Sequence, residues 1–230
     1  MFKGGLPNLL IGNTLLTRNA DSCPALGEFT EKLMWEAGFD SGEYVNALTG
    51  HDQIDTILSH NSVGGVSFTG SSRAGSFIAA KAGQYLKKSV MELGGNDAFV
   101  VLIDADVNKA VADAIRGRSA NCGQVCFSPK RFIIVKEHYE TFKTKLIEGL
   151  SKLKYGDPMS PDTQVGPLAR DDIYDNLADQ LKHLPKSYQI TWQRTDVKKP
   201  FFPFTVIEGT DEVYDHETFG PVFTLFCAQD

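Results

Sequence analysis

The order of predicted elements along the first 92 residues constrains the fold more than any other feature of the sequence. Short runs that favour β-strands alternate with stretches whose apolar residues recur at helical spacing. The strands are predicted at 14–17, 44–48 and 66–69, and the helices at 25–37, 53–59 and 74–88. This β-α-β-α-β-α order predicts parallel strands covered by helices, and therefore an α/β fold.

The second half of the chain continues the α/β pattern less regularly. We predict strands at 98–103 and 131–135, followed by amphipathic helices at 107–115 and 139–150. Residues 155–203 are rich in Asp, Pro, Thr, Lys and Gln, which predicts one helix near 171–184 among long loops. Two late strands are predicted at 205–207 and 222–228.

Composition and charge exclude several classes of function. The net charge of −6 indicates no nucleic-acid partner, because such proteins usually carry a basic face. No apolar run reaches the roughly 18 residues of a membrane span, and polar residues interrupt the start of the chain where a signal peptide needs an apolar core. Four cysteines are too few in a chain of this length to indicate a disulfide framework. Neither their spacing nor that of the five scattered histidines predicts a metal site. We therefore expect an intracellular protein, cytoplasmic or mitochondrial.

One cysteine ends a run of small and polar residues, Asn121-Cys122-Gly123-Gln124-Val125-Cys126. A glycine in such a run lets the backbone approach a bound group, and the Cys126 amide is then available to a developing oxyanion. We interpret Cys122 as lying one helical turn before Cys126. On these residues alone the commoner alternative, a small buried cysteine, stays open for Cys126.

Two further stretches combine glycine with a polar side chain beside a predicted strand. Glu92-Leu93-Gly94-Gly95 stands before the strand at 98–103, so Glu92 is either a general base in a cleft or a surface residue ahead of a turn. Phe68-Thr69-Gly70-Ser71 joins a strand to a helix, where unpaired N–H groups and the helix dipole favour a phosphate. Ser71 as a plain N-cap is compatible with phosphate binding.

Taken in order, these motifs resemble the aldehyde dehydrogenase superfamily, and the resemblance covers nearly the whole chain. Gly12-Asn13-Thr14 through Arg18 and Asp21 is similar to the family's first cofactor strand and adenosine-ribose site. The other matches are the pyrophosphate turn at Phe68-Thr69-Gly70-Ser71, the general-base motif at Glu92-Leu93-Gly94-Gly95, the nucleophile motif from Asn121 to Cys126, and the nicotinamide-ribose contact at Glu217-Thr218-Phe219-Gly220-Pro221-Val222.

The resemblance implies a fold and a reaction. The implied fold is a Rossmann-like parallel cofactor-binding sheet in residues 1–92, followed by an incomplete α/β catalytic domain in residues 93–230. Cys126 is implied as the nucleophile that attacks an aldehyde, and Glu92 as the general base that activates water to hydrolyse the thioester. The implied cofactor-binding residues are Arg18, Asp21, Gly70, Ser71, Glu217 and Phe219. Asp21 favours NAD, whereas Arg18 leaves NADP open.

The resemblance is closest to the succinate-semialdehyde dehydrogenase branch, notably at Lys130-Arg131-Phe132-Ile133, so the expected substrate is succinate semialdehyde. The family's Trp-Asn-Phe-Pro-like segment, whose Asn is a second oxyanion donor, has no counterpart in this sequence. Loss of one such donor costs roughly 10²–10³ in rate. We therefore expect a homo-oligomer or a complementing chain, and little activity from this chain alone.

Two alternatives to an aldehyde dehydrogenase remain. The first is a non-catalytic structural or interaction protein derived from that family. The second is a nicotinamide dehydrogenase that uses a His or Tyr proton donor, which is disfavoured because no Gly-x-Gly-x-x-Gly follows the first strand.

Overall fold

The helices and strands fall into two units, Met1–Leu93 and Gly94–Asp230, in the computed structural model, which describes residues 2–210 and 216–229. Each unit alternates helices with mainly parallel strands, so the α/β fold class is confirmed. The division into a cofactor-binding domain at 1–92 and a catalytic domain at 93–230 stays a prediction, because it assigns a function to each part.

The first unit contains two separate pairs of parallel strands, β1 with β2 and β3 with β4. A small core of Leu9, Met34 and Tyr44 lies beside the first pair. The elements in chain order are α1 (Phe2–Leu10), β1 (Leu15–Thr17), α2 (Pro24–Glu36), β2 (Tyr44–Asn46), α3 (Ile54–Ser59), β3 (Gly65–Thr69), α4 (Ser72–Gln84) and β4 (Lys88–Glu92).

Helix α4 connects the parallel strands β3 and β4. Its buried residues, Gly75, Ile78 and Ala82, recur at spacings of three and four, so they lie on one face. The prediction of a helix over 74–88 was wrong at its end, because Leu86 adopts a left-handed conformation with φ of 55° and the chain turns into β4. Strand β4 and helix α1 were not predicted. Glu92 is thus the last residue of a strand.

The second unit is built on a five-stranded sheet with the order β5-β6-β9-β8-β7. Strand β7 runs antiparallel to β8, and the other neighbours are parallel. The elements are β5 (Ala98–Val101), α5 (Val107–Ser119), β6 (Arg131–Val135), α6 (Lys136–Ser151), α7 (Asp171–Lys182), β7 (Tyr188–Gln193), β8 (Thr205–Gly209) and β9 (Val222–Ala228). Two expectations were wrong: the segment 155–203 contains strand β7 besides its helix, and β5 ends before 103.

The core of the second unit fixes the two central strands. Phe132 of β6 stacks on Phe223 of β9 with ring centroids 5.1 Å apart. The ring of Phe142 in α6 packs against Phe132 with a centroid distance of 6.5 Å. All three side chains are fully buried. Each contributes about 1.5–3 kcal/mol through the hydrophobic effect. The loops that precede β6 and β9, which carry candidate site residues, are therefore attached to strands that form the core of the unit.

None of the helices that the structure describes has the length and apolar character required to cross a membrane.

Candidate active site

The run of small residues after α5 forms a left-handed turn. Asn121, Cys122 and Gly123 have φ of 49°, 55° and 73°, so the interpretation of Cys122 as one helical turn before Cys126 was wrong. This conformation costs about 1–3 kcal/mol for a residue other than glycine. Glycine is required at 123, because a Cβ there would lie 2.2 Å from the carbonyl oxygen of Gly220.

Arg118, near the end of α5, holds this turn against the segment before β9. Its side chain is fully buried, and its Nε donates to the carbonyl oxygen of Val222 at 2.9 Å. One terminal nitrogen donates to the Gly123 carbonyl and the Ser128 hydroxyl, both at 3.3 Å, and the other donates to the carbonyl and hydroxyl of Thr218. All five N–H groups of the guanidinium are thus used. Burial lowers the pKa of Arg118, and attraction to Glu217 opposes that shift.

The Gln124 side chain holds the same turn from the other direction. Its Nε2 donates to the Asn121 carbonyl at 2.9 Å, and its Oε1 accepts from the amide of Ala169, also at 2.9 Å. The Asn121 side chain returns a bond of 3.2 Å to the Gln124 carbonyl. The turn is therefore tied to the loop before α7 as well as to α5.

Cys122, within this turn, and Cys126, three residues after the turn, have opposite environments. Cys126 is exposed, whereas Cys122 is buried. Burial raises the pKa of the Cys122 thiol to about 12, although the nearby Arg118 opposes the shift. Only a thiolate is an effective nucleophile, so Cys122 is inert at neutral pH. The exposure of Cys126 agrees with the role predicted for it, which stays a prediction.

Lys130 joins the Cys126 backbone to Glu217. The Lys130 ammonium is almost completely buried and lies 3.3 Å from Oε1 of Glu217. It also donates to the carbonyl oxygens of Val125, at 3.3 Å, and Cys126. Burial lowers the pKa of Lys130, while the Glu217 carboxylate raises it. Lys130 is thus a buried cation with three acceptors around it.

Glu217 is less enclosed than the cation it contacts. A quarter of its side chain is exposed, and its Oε1 also accepts from the amide of Gly95 at 3.4 Å. A Cβ on the neighbouring Gly94 would lie 1.8 Å from Oε2. Only glycine at that position allows the carboxylate to approach the backbone so closely. Phe219, two residues later, is half-buried.

In the first unit, Gly70, Ser71 and Glu92 come together at the carboxyl ends of β3 and β4. Thr69 is in register with Glu92, and the Gly70 amide donates to the Glu92 carbonyl at 3.1 Å. Ser71 is the N-cap of α4, and its hydroxyl accepts from the amide of Ala74 at 3.3 Å. Ligands of open parallel sheets bind at this end of the strands. Glu92 is half-buried there.

Arg18 and Asp21 form an ion pair after β1. A terminal nitrogen of Arg18 lies 2.5 Å from the Asp21 carboxylate, and the Arg18 Nε donates to the Thr49 carbonyl at 3.0 Å. The Arg18 side chain is mostly covered, whereas 70% of the Asp21 side chain is exposed. His51 lies 4.0 Å from the other Asp21 oxygen. Asp21 therefore presents an accessible carboxylate whose charge Arg18 partly neutralises.

Sequence reasoning missed Arg118, Lys130 and Gln124. A signal existed for Arg118, because it lies seven residues after Val111 and four after Ala114, on the buried face of α5. No comparable signal marks Lys130, because a polar residue directly before a strand such as β6 is common and does not indicate burial. Within 2–210 and 216–229, no three His, Cys, Asp or Glu side chains are grouped to hold a metal ion.

The sequence model described as the aldehyde dehydrogenase family matches residues 3–230. A succinate-semialdehyde dehydrogenase [NADP(+)] of Deinococcus radiodurans is 36% identical over 97% of the chain and 48% of its own length. The chain spans about half the length of the curated relatives it matches.

Solved structures give the same match. The succinic semialdehyde dehydrogenase of Streptococcus pyogenes, in complex with NADP+, has a TM-score of 0.90 and 35% identity, over 97% of this chain and 50% of its own. A betaine aldehyde dehydrogenase of Staphylococcus aureus in complex with NAD+ has a TM-score of 0.88 and 28% identity, over 95% of this chain and 46% of its own.

Proposed function

Because this chain belongs to the aldehyde dehydrogenase family, we propose that it takes part in the NAD(P)-dependent oxidation of an aldehyde to a carboxylic acid. The observation that carries this proposal is the exposed Cys126 thiol, three residues after a left-handed turn that hydrogen bonds from Arg118 and Gln124 hold in place. A nucleophile attached to a rigid turn is positioned before the substrate arrives, which lowers the entropic cost of the attack.

In this proposal Cys126 and Glu92 act in succession. The Cys126 sulfur forms a bond to the aldehyde carbonyl carbon, and the amide of Cys126 donates to the resulting oxyanion. A bound nicotinamide dinucleotide supplies the acceptor for the aldehyde hydride, which leaves a thioester on Cys126. Glu92 then accepts a proton from the water that attacks this thioester, and the acid departs as Cys126 is released.

The residues at the start of α4 fit the diphosphate of such a dinucleotide. The helix has 13 residues; Ser71 caps the amides of Ala74 and Gly75, whereas those of Ser72 and Arg73 have no partner within the helix. The helix dipole adds a partial positive charge at the same end. We propose that Gly70 and Ser71 hold the diphosphate there, and that Glu217 and Phe219 hold the nicotinamide ribose.

Titration calorimetry with NADH tests the diphosphate site. Ser71→Pro removes the Ser71 amide and should weaken binding by at least about tenfold, since charge-assisted hydrogen bonds contribute about 1.5–3 kcal/mol each. Ser71→Ala, which loses only the hydroxyl cap, is the control and should bind more tightly than the Pro variant. Equal affinity of the wild type and Ser71→Pro would place the phosphate elsewhere.

In this proposal the residues that bind the adenosine ribose favour NAD, and NADP is the alternative. The exposed Asp21 carboxylate is suited to accept a hydrogen bond from the 2′-hydroxyl of NAD and would repel a 2′-phosphate. Arg18 would attract that phosphate, but its guanidinium already donates to Thr49 and Asp21. The relatives from Deinococcus radiodurans and Streptococcus pyogenes, named with NADP(+), are the argument for the alternative.

The substrate we propose is succinate semialdehyde, because the similar relatives carry that name. The exposure of one residue suggests a second aldehyde to compare with succinate semialdehyde. Phe127, directly after Cys126, is 77% exposed, and an apolar ring beside the nucleophile suits an uncharged aliphatic tail better than a carboxylate. Butanal is therefore the matched competitor, since it has the same chain length as succinate semialdehyde and lacks the acid.

The proposed reaction is tested by the formation of NADH and NADPH from each aldehyde. Cys126→Ala should abolish it, because no thioester can form. Glu92→Gln should allow at most one equivalent of reduced dinucleotide per active site, with an acylated Cys126 detected by mass spectrometry. Dinucleotide binding without any acylation of Cys126 would favour the non-catalytic alternative, an interaction protein derived from this family.

A further inference from the structure

We propose that Lys130 is a positioning residue that links the Glu217 carboxylate to the Cys126 backbone, so that dinucleotide binding at Glu217 changes the reactivity of the Cys126 thiol. This inference rests on the proposed function, because it takes Glu217 as a ligand of the nicotinamide ribose. It goes beyond that function by assigning a role to a residue that touches neither substrate nor cofactor.

The first step of the argument is that the Lys130 ammonium has no spare donor. Its three N–H bonds match the three acceptors around it, namely Oε1 of Glu217 and the carbonyl oxygens of Val125 and Cys126. The side chain is only 2% exposed, so water cannot replace an acceptor that is withdrawn. A change at one acceptor must therefore be redistributed over the other two.

The second step concerns charge. Arg118 and Lys130 are both buried cations in the neighbourhood of the Glu217 carboxylate. A buried ammonium that loses its counterion is strongly destabilised, so it strengthens its remaining hydrogen bonds. Ribose hydroxyls that bind Glu217 compete with Lys130 for Oε1. The hydrogen bonds of the ammonium to the Val125 and Cys126 carbonyls then strengthen, which holds the Cys126 backbone more firmly and changes the reactivity of the thiol on the same residue.

The rate at which iodoacetamide alkylates Cys126, with and without saturating NADH, measures this link. The protein carries Ser at 23 and 227, the other two exposed cysteines, and calorimetry sets the saturating concentration. In the wild type we expect the two rates to differ by about fivefold or more, the usual lower range for coupled sites. In Lys130→Met the two rates should be equal, while NADH still binds.

The matched control is Lys143→Met. Lys143 also forms a partly buried ion pair, 3.2 Å from Glu208, at a distance from its partner almost equal to that of Lys130 from Glu217. Lys143→Met should keep the wild-type response, and loss of the response in this variant would overturn the positioning role in favour of general softening of the unit. If Lys130→Met does not fold, Lys130→Gln replaces it. Gln retains N–H donors for the carbonyls and has no charge for Glu217, so the same loss is expected.

The outcomes separate this inference from the proposed function. NADH binding with equal alkylation rates in the wild type overturns the inference and leaves the proposed function intact. A full response in Lys130→Met does the same, because it shows that NADH acts on Cys126 without the lysine. Absence of NADH binding overturns both.

Discussion

Replacement of Arg118 by methionine tests whether its buried guanidinium holds the second unit together. The substitution keeps an unbranched side chain in the core and removes every donor. Three buried carbonyl oxygens, those of Gly123, Thr218 and Val222, then lose their partner. Each unsatisfied group costs about 1–3 kcal/mol, whereas the hydroxyls of Ser128 and Thr218 can rotate to other acceptors. Removal of a desolvated charge offsets part of the loss, so we expect a net destabilisation of about 3–5 kcal/mol.

Urea unfolding followed by tryptophan fluorescence measures this loss. The chain has two tryptophans, and a Trp35→Phe background leaves Trp192 of β7 as the reporter of the second unit. With a slope of about 1–3 kcal/mol per molar urea, the midpoint should fall by at least about 1 M. Arg116→Met is the control, because that side chain lies on the same helix, is 83% exposed and forms a surface ion pair with Asp113.

A loss below about 1 kcal/mol for Arg118→Met, or equal losses at the two arginines, would refute the account of the guanidinium as the support of the turn. Domains are stable by only about 5–15 kcal/mol, so the methionine variant can be largely unfolded. Arg118→Lys then serves instead. It keeps a charge and three donors, and its stability should lie between those of the wild type and the methionine variant.

Three further predictions follow from the site geometry. At pH 8, iodoacetamide should label Cys126 and leave Cys122 unlabelled, since burial raises the pKa of the Cys122 thiol to about 12 and keeps it protonated at pH 8; peptide mapping reads the label, and labelling of Cys122 first would contradict the assignment. Gly123→Ala should lower the melting temperature more than Gly38→Ala, because both positions have positive φ and only the first meets a backbone oxygen, at 2.2 Å; equal shifts would mean that the close approach is relaxed. Asp21→Ser should move the ratio of NADP+ to NAD+ affinity toward NADP+ by about tenfold or more, and an unchanged ratio would remove Asp21 from the ribose site.

Strands β6 and β9 were predicted at their observed bounds, whereas β4 and β7 were not predicted at all. Strands β6 and β9 consist mainly of apolar residues that are buried or half-buried, and such runs are legible in the sequence. Strand β7 lies at a sheet edge, and four of its six residues are exposed. Its apolar residues Tyr188, Ile190 and Trp192 alternate with polar ones in the period-two pattern of a strand, so the sequence carried a signal for β7 that the prediction of loops overlooked.

The residues of the candidate site also divide into those that the sequence indicated and those that it did not. Glycine-rich runs beside strands pointed to Cys126, Glu92 and Ser71, because close backbone approach leaves a mark in composition. The polar residues that support them left a weaker mark or none. Arg118 followed the apolar spacing of α5 and was legible in principle, since a charge on a core face requires partners. Lys130 precedes a strand, and the burial of a residue there depends on the conformation of the neighbouring loops.

The left-handed turn at Asn121–Gly123 was beyond local reasoning for a thermodynamic reason. Two of its three residues are not glycine, so the isolated segment prefers right-handed or extended backbone and pays about 1–3 kcal/mol at each such residue to adopt the observed one. The hydrogen bond that Arg118 donates to Gly123, and those that Gln124 makes with Asn121 and Ala169, offset this cost. Arg118 in turn is held by Thr218 and Val222, which are about a hundred residues away. The handedness of the turn that leads to Cys126 is therefore a property of the assembled unit.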